Sequence, residues 1–195
     1  MRLLVLLFLC GAVVGLRAAE AGPRPRPAEW AVPIINGSLA NCYRVSDELY
    51  RCEQPKMEDA AELQALGIRS ILNLRQHHTD AAGLTTAAGF TLLVQRMEAD
   101  ELTMDDLVAA LRQFRTAPKP VLVHCWHGSD RTGSVVAAYR IVFQNWTAAA
   151  ALDELRHGGY GYHEKWFPNI ITLFEHLDVA ELRRRVLADE PVKAR

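Results

Sequence analysis

The sequence predicts an α/β fold, a three-layer αβα sandwich around a central, mainly parallel sheet. Three observations carry that expectation. Short apolar runs at residues 68–74, 90–94 and 121–123 have strand length, and such unbroken hydrophobicity suits strands covered on both faces. Stretches with apolar residues at helical spacing separate them, as crossovers between parallel strands require. Gly and Pro punctuate the boundaries at Gly67, Gly89, Pro118, Pro120, Gly158 and Pro168. Half of the 195 residues are hydrophobic, and 12 Gly and 9 Pro are ordinary globular proportions, so collagen-like, repeat and disordered classes are excluded. With 22 basic and 23 acidic residues the net charge is −1, which argues against nucleic-acid binding by bulk electrostatics.

Met1 and Arg2 precede an apolar or small run from Leu3 to Leu16 that stops at Arg17. A positive start, a core shorter than the roughly 20 residues of a spanning helix, and the small residues Ala19 and Ala21 predict a signal peptide over 1–21. The product is then expected to be exported, periplasmic or secreted, with no stable membrane insertion after cleavage. Residues 22–40 open with Gly-Pro-Arg-Pro-Arg-Pro and read as an extended Pro/Arg-containing linker, and 41–195 as one domain.

Asn41-Cys-Tyr-Arg-Val and Leu49-Tyr-Arg-Cys flank the turn formers Ser46-Asp-Glu, which predicts a hairpin. Counting outward from Asp47 pairs 45 with 49, and so on to 42 with 52. Cys42 and Cys52 thus face each other and are placed for a disulfide in an oxidising compartment, leaving Cys125 as a free thiol. A helix over 58–66 stops at Gly67, and a short helix over 81–88 stops at Gly89. Thr103 with Asp106 resembles a capping box, followed by the stripe Leu107, Ala110, Leu111 and Phe114. The helix over 132–143 is apolar nearly all round, as a buried central helix should be. Thr147 caps the next helix, which ends at Gly158-Gly159, and Pro168 opens the last.

Between the strand at 121–123 and the helix after it lies His124-Cys-Trp-His-Gly-Ser-Asp-Arg-Thr-Gly133. A strand feeding a tight loop into a helix aims successive backbone N–H groups and the positive helix end at one point, a phosphate site. Cys125 at its mouth would be favoured as thiolate by the same field. Arg131 can grip two phosphate oxygens as a fork. Gly128 permits a turn barred to other residues, and Thr132 can donate its hydroxyl to the sulfur. Trp126, His127, Gly128, Ser129, Asp130 and Thr132 complete the substrate-binding set.

His124, Cys125, five intervening residues, Arg131 and Thr132 match the His-Cys-x5-Arg-Ser/Thr signature, so the chain resembles the cysteine-dependent tyrosine phosphatases. Leu49-Tyr-Arg-Cys-Glu-Gln-Pro, Ile71-Leu-Asn-Leu-Arg75 and Gly158-Gly-Tyr-Gly-Tyr-His163 extend the resemblance to bacterial, exported dual-specificity phosphatases over residues 41–177. It implies the phosphatase αβα sandwich, hydrolysis of a phosphorylated protein or small phosphoester through a phosphocysteine, and no cofactor or metal. It also implies a general acid on a loop before the capped helix. Asp100 is the best match, with Glu98, Glu101, Asp105 and Asp106 nearby; the last two suit a helix start better. Asp130 beside Arg131 departs from the commonest pattern, since a negative charge there should weaken anion binding unless it pairs or points away, and some inositide-directed relatives use an aspartate within this loop as the acid. The absence of lysine from the loop, with Trp126 and His127 in its place, favours an aromatic phosphoester. An inositol phosphate phosphatase, a rhodanese-like sulfurtransferase and an inactive phosphate-binding module remain alternatives.

His77, His78 and Asp80 follow a strand and read as a solvated loop rather than a metal site, having no further ligands at fixed spacing. Tyr160, Tyr162, Trp166 and Phe167 read equally well as a pocket wall or as the apolar plug of a loop. Asn36-Gly-Ser38 and Asn145-Trp-Thr147 are formal glycosylation sequons, but Thr147 suits a helix cap.

Overall fold

The computed structural model describes residues 25–35, 37–81, 84 and 89–188, so the expected signal peptide and most of the 81–88 helix lie outside the described residues. A six-stranded sheet has the order β1-β2-β3-β6-β4-β5: β1 Val32–Pro33, β2 Tyr43–Arg44, β3 Leu49–Cys52, β4 Ser70–Arg75, β5 Thr91–Met97 and β6 Val121–His124. Pairs β3·β6, β6·β4 and β4·β5 are parallel, whereas β1 and β2 run antiparallel at one edge. The hairpin register is the expected one, with Tyr43 opposite Arg51 and Arg44 opposite Tyr50.

Six α-helices have their bounds among the described residues, after a 3-10 turn at Met57–Asp59: α1 Ala60–Ala65, α2 Met104–Thr116, α3 Asp130–Phe143, α4 Ala148–His157, α5 Pro168–Glu175 and α6 Val179–Leu187. Side-chain alternation along the strands sorts the core into two layers. Leu49, Leu72, Leu74, Val121 and Val123 pack with α2 to α6, while Tyr50, Cys52, Ile71 and Leu122 pack with Leu63 of α1, Leu84 and Phe90. Helix α3 is buried over most of its length, as its all-round apolar sequence demands. Thr103 and Asp106 cap α2 reciprocally, and the Thr147 hydroxyl accepts from Ala150 N at 3.1 Å to start α4.

Three expectations need correction. The helix opened by Pro168 is not the last, because Asp178 accepts from Glu181 N and starts α6. Much of the expected linker is part of the fold: β1 pairs with β2, and Trp30 and Ala31 are buried. Composition suggested solvation there, but the Arg26 guanidinium finds the carbonyls of Ala31 and Gly158 instead. Cys42 and Cys52 are free thiols despite the matching register. Cys52 Sγ instead turns to the carbonyl of Glu53, 2.8 Å away, and burial pushes the Cys42 thiol up to about 12, helped by the charge of Glu62.

Candidate active site

Strand β6 ends at His124 and α3 begins at Asp130, so the loop from Cys125 to Ser129 crosses from the C-terminal edge of the parallel sheet to a helix N-terminus. Four consecutive carbonyls of this loop are held by donors. His124 Nδ1 bonds the Cys125 carbonyl at 3.0 Å, and Gln54 N donates to that of Trp126 at 3.0 Å. Asn41 Nδ2 donates to His127 O at 2.7 Å, and Arg51 Nη2 donates to Gly128 O at 2.5 Å. Within a trans peptide plane the C=O and the next N–H point opposite ways. Fixing the carbonyls of residues 125–128 therefore turns the N–H groups of 126–129 away from those donors, toward a common anion site. Gly128, at φ +69°, makes this possible, and a Cβ there would stand 2.4 Å from Cys52 O.

The donors have their own supports. His124 is fully buried, and its Nε2 faces the carboxylate of Asp80 at 3.2 Å. The Asp80 side chain is buried too, so the expected solvated loop is wrong at this residue. Burial raises its carboxyl pKa, but the hydrogen bond and charge of His124, with the bond from Gln54, outweigh that and lower it on balance. Gln54 and Asn73 also donate to Asp80 Oδ1. On the helix side, Arg51 is buried with its Nε unpartnered, and its guanidinium lies 3.7 Å from the Tyr160 ring centroid. Desolvation lowers the Arg51 pKa, opposed by the nearby Tyr160 and Glu154. Tyr160 is thus interior plug rather than pocket wall.

The other expected residues divide between mouth and scaffold. Cys125 is buried at the loop start, while Trp126 is 59% exposed, with the Arg75 guanidinium over its ring. His127 stacks on Trp126 and meets His163, which stacks on the exposed Trp166. Arg131 Nη1 donates to Met97 O at the end of β5, and Asn169 Nδ2 donates to Ala99 O, so the chain leading into the acidic bend is anchored just before Asp100. Asp100 stands exposed in that bend. Asp105 pairs with Arg185 and Asp106 caps α2, which gives both the structural duties expected of them.

Three substrate-binding expectations change. Ser129 Oγ donates to Tyr160 O, and Asp130 accepts from the backbone N–H of His163 and faces its Nδ1, so both side chains fasten the 158–167 loop. Asp130 is therefore partnered by His163 rather than Arg131. The buried Thr132 hydroxyl has no hydrogen-bond partner, so the bond expected to the sulfur is not made. Sequence reading places Asn41 and Arg51 in a hairpin, Gln54 in a family-like run and Asp80 in a solvated loop, and nothing local marks any of them as a neighbour of a loop some 45 to 85 positions away. Among the described residues no group of three or more acidic, His or Cys side chains is arranged to hold a metal.

A parallel sheet that delivers a cysteine to a loop whose carbonyls are held from outside, with an arginine at the next helix start, is the arrangement of an α/β phosphoester hydrolase of the cysteine type. The sequence profile of the dual specificity phosphatase, catalytic domain family matches residues 49–171. The chain is 38% identical over 165 residues to the dual specificity protein phosphatase TpbA of Pseudomonas aeruginosa, covering 83% of this chain and 73% of that one. A crystal structure of a cysteine-to-serine variant of TpbA in complex with pTyr matches with a TM-score of 0.71 at 32% identity, over 83% of this chain and 98% of that one. Inositol diphosphatase DSP5 of Arabidopsis thaliana is 29% identical over 80% of this chain and 76% of its own length. This chain belongs to the dual specificity phosphatase family, and it is a tyrosine or dual-specificity protein phosphatase.

Proposed function

We propose that Cys125 is the nucleophile, Arg131 the phosphate clamp and Asp100 the general acid of a phosphatase acting on phosphotyrosine. The observation that carries this reading is the run of four held carbonyls, which leaves the amides of residues 126–129 to bind phosphate beside the Cys125 thiol. The Cys125 thiolate attacks phosphorus, and the bond to the leaving oxygen breaks as Asp100 delivers its proton there. Water activated by the Asp100 carboxylate then cleaves the phosphocysteine, returning the thiolate and releasing phosphate. The amides and the Arg131 guanidinium stabilise the charge on the equatorial oxygens in both steps.

Phosphotyrosine as substrate is supported by the complex of pTyr with the TpbA variant and by Trp126 at the mouth, whose exposed ring can flank a phenyl group. The named activity of DSP5 supports the second reading, an inositol phosphate substrate. Against it stands a loop without lysine, whose Asp130 is engaged by His163. Residues 1–21 support export, so we place the mature enzyme in the periplasm or outside the cell. No helix among the described residues is long and apolar enough to cross a membrane.

Parallel rates on phosphotyrosine, phosphoserine and inositol phosphate substrates test the assignment, with Cys125→Ser as the chemical control. Phosphotyrosine should be hydrolysed fastest, and the serine variant should fall to background while still binding phosphate. Preference for the inositol phosphate, or substantial turnover by the serine variant, would refute the corresponding part.

A further inference from the structure

We propose that the segment from Arg26 to Tyr43 is a positioning element of the phosphatase reaction, with Arg26 and Asn41 aiming the backbone amides of the phosphate loop from behind. Nearly all of this segment was expected to be linker, and it precedes residues 49–171, where the family profile matches.

Two of the four carbonyl holders depend on it. Asn41 acts directly: its Nδ2 donates to His127 O at 2.7 Å and to Tyr160 O at 2.9 Å, from a residue at φ +52°. Because the His127 carbonyl shares a peptide plane with the Gly128 N–H, this one side chain orients that amide. Arg26 acts through two other side chains. Its guanidinium donates to the carbonyls of Gly158 and Ala31 and, at 3.0 Å, to Tyr160 Oη. Tyr160 Oη in turn donates to Glu154 Oε1 at 2.9 Å, which also accepts from Ala31 N at 2.7 Å. This closes residues 26–31 and 154–160 into one clasp.

Within that clasp Tyr160 presents its ring to Arg51, whose guanidinium carbon lies 3.7 Å from the ring centroid. Arg51 depends on this contact. It is buried, its Nε has no hydrogen-bond partner, and its Nη2 is what holds Gly128 O and so aims the Ser129 N–H. A guanidinium held by one hydrogen bond keeps its plane only if the ring beneath it does. Removing Arg26 deprives Tyr160 Oη of its donor and leaves the clasp held through Glu154 alone, and the disturbance reaches the phosphate through Arg51 and Gly128. Neither Arg26 nor Asn41 needs to touch substrate for this.

The test uses full-length protein, p-nitrophenyl phosphate turnover, and inorganic phosphate as a competitive probe of the cradle, all well below the unfolding temperature. Arg26→Ala is expected to lower kcat/KM about tenfold and to raise the inhibition constant for phosphate by a similar factor. Arg26→Lys, which cannot span three acceptors, should recover part of both. Asn41→Asp, which sets an acceptor against two carbonyls while keeping size and turn preference, should match or exceed the loss. Arg44→Ala, an exposed arginine paired with Asp47, should change neither quantity. Wild-type kinetics and phosphate binding in Arg26→Ala, with only a lower Tm, would make the segment a mere structural clasp and overturn the proposal. Should Arg26→Ala not fold, Tyr160→Phe, which keeps the ring but not the hydroxyl, decides: a parallel loss in both readouts supports the proposal, and none overturns it. The proposal rests on the Cys125 loop being the phosphate site. A wild-type protein inert toward aryl phosphates would refute that reading, whereas an active wild type with indifferent variants refutes only this one.

Discussion

The two sides of the phosphate loop are built differently. On the outer side stand Trp126 and Trp166, exposed on loops, with Asp100 exposed in the bend after β5. Behind it, His124, Asp80, Arg51, Tyr160 and Glu154 are sealed from solvent and joined by hydrogen bonds and a ring stack. A group that must meet substrates and pass protons needs freedom and water. A group that sets the direction of an amide needs neither, and gains strength from low dielectric surroundings. On the proposed reading, chemistry and aim fall to separate residues, so substitutions on the two sides should fail in separable ways.

The largest effect should come at the junction of the two sides. Arg131→Lys replaces a rigid fork with a point charge and should cost on the order of 10³-fold in turnover, together with a measurable loss of phosphate binding. Next is the mouth alone. Asp100→Asn should slow phosphotyrosine hydrolysis by roughly 10²–10⁴-fold, much less for an activated ester, and flatten the acidic side of the pH profile for turnover. Asp130→Asn should instead loosen the 158–167 loop through His163 and act mainly on phosphate affinity. The reverse pattern would move the acid into the loop.

At Glu154, deepest behind the loop, the expected failure is in folding. Glu154 accepts from Arg140 Nε and Nη2, Ala31 N and Tyr160 Oη, and it is buried with Arg140. Glu154→Ala leaves that guanidinium buried without its partner, which typically costs about 3–5 kcal/mol and is readable from urea unfolding. The smallest effect belongs to Asp80. Because its pKa is lowered in the folded state, its contribution is present above the unfolded carboxyl pKa of about 3.9 and is lost as pH falls through the lower folded value. The stability gap between wild type and Asp80→Asn, about 1–3 kcal/mol near neutrality, should therefore shrink on acidification below pH ~4. A gap independent of pH would mean that Asp80 acts by shape alone.

The same division explains what could be read from the sequence. Cys125, Arg131, the hairpin register and the Thr103 and Thr147 caps depend on residues close together in the chain, where spacing is itself geometry. The rear network does not. Arg26 meets Gly158 across 132 positions, and Asn41 meets His127 across 86, so neither leaves a periodic or motif signal. Composition misled in the same place, because Pro and Arg alternation reads as solvated spacer unless the acceptors for the guanidinium are known. Asp80 was obscured by its exposed neighbours His77 and His78, which share its loop but not its burial.

The two-residue strand β1 also bears on how the protein behaves at high concentration. A sheet edge with free N–H and C=O groups recruits strands from other molecules. Here the hairpin edge is taken by Val32–Pro33, and Pro33 has no N–H to offer a further neighbour. At the opposite edge, β5 has its Val94 carbonyl occupied by the Gln113 side chain of α2. The hairpin margin is thus a poor template for intermolecular pairing, and β5 is covered at Val94. Opening the Arg26 clasp would release β1 and bare the longer β2–β3 hairpin, so aggregation in that variant should begin at the end of the sheet farthest from β5.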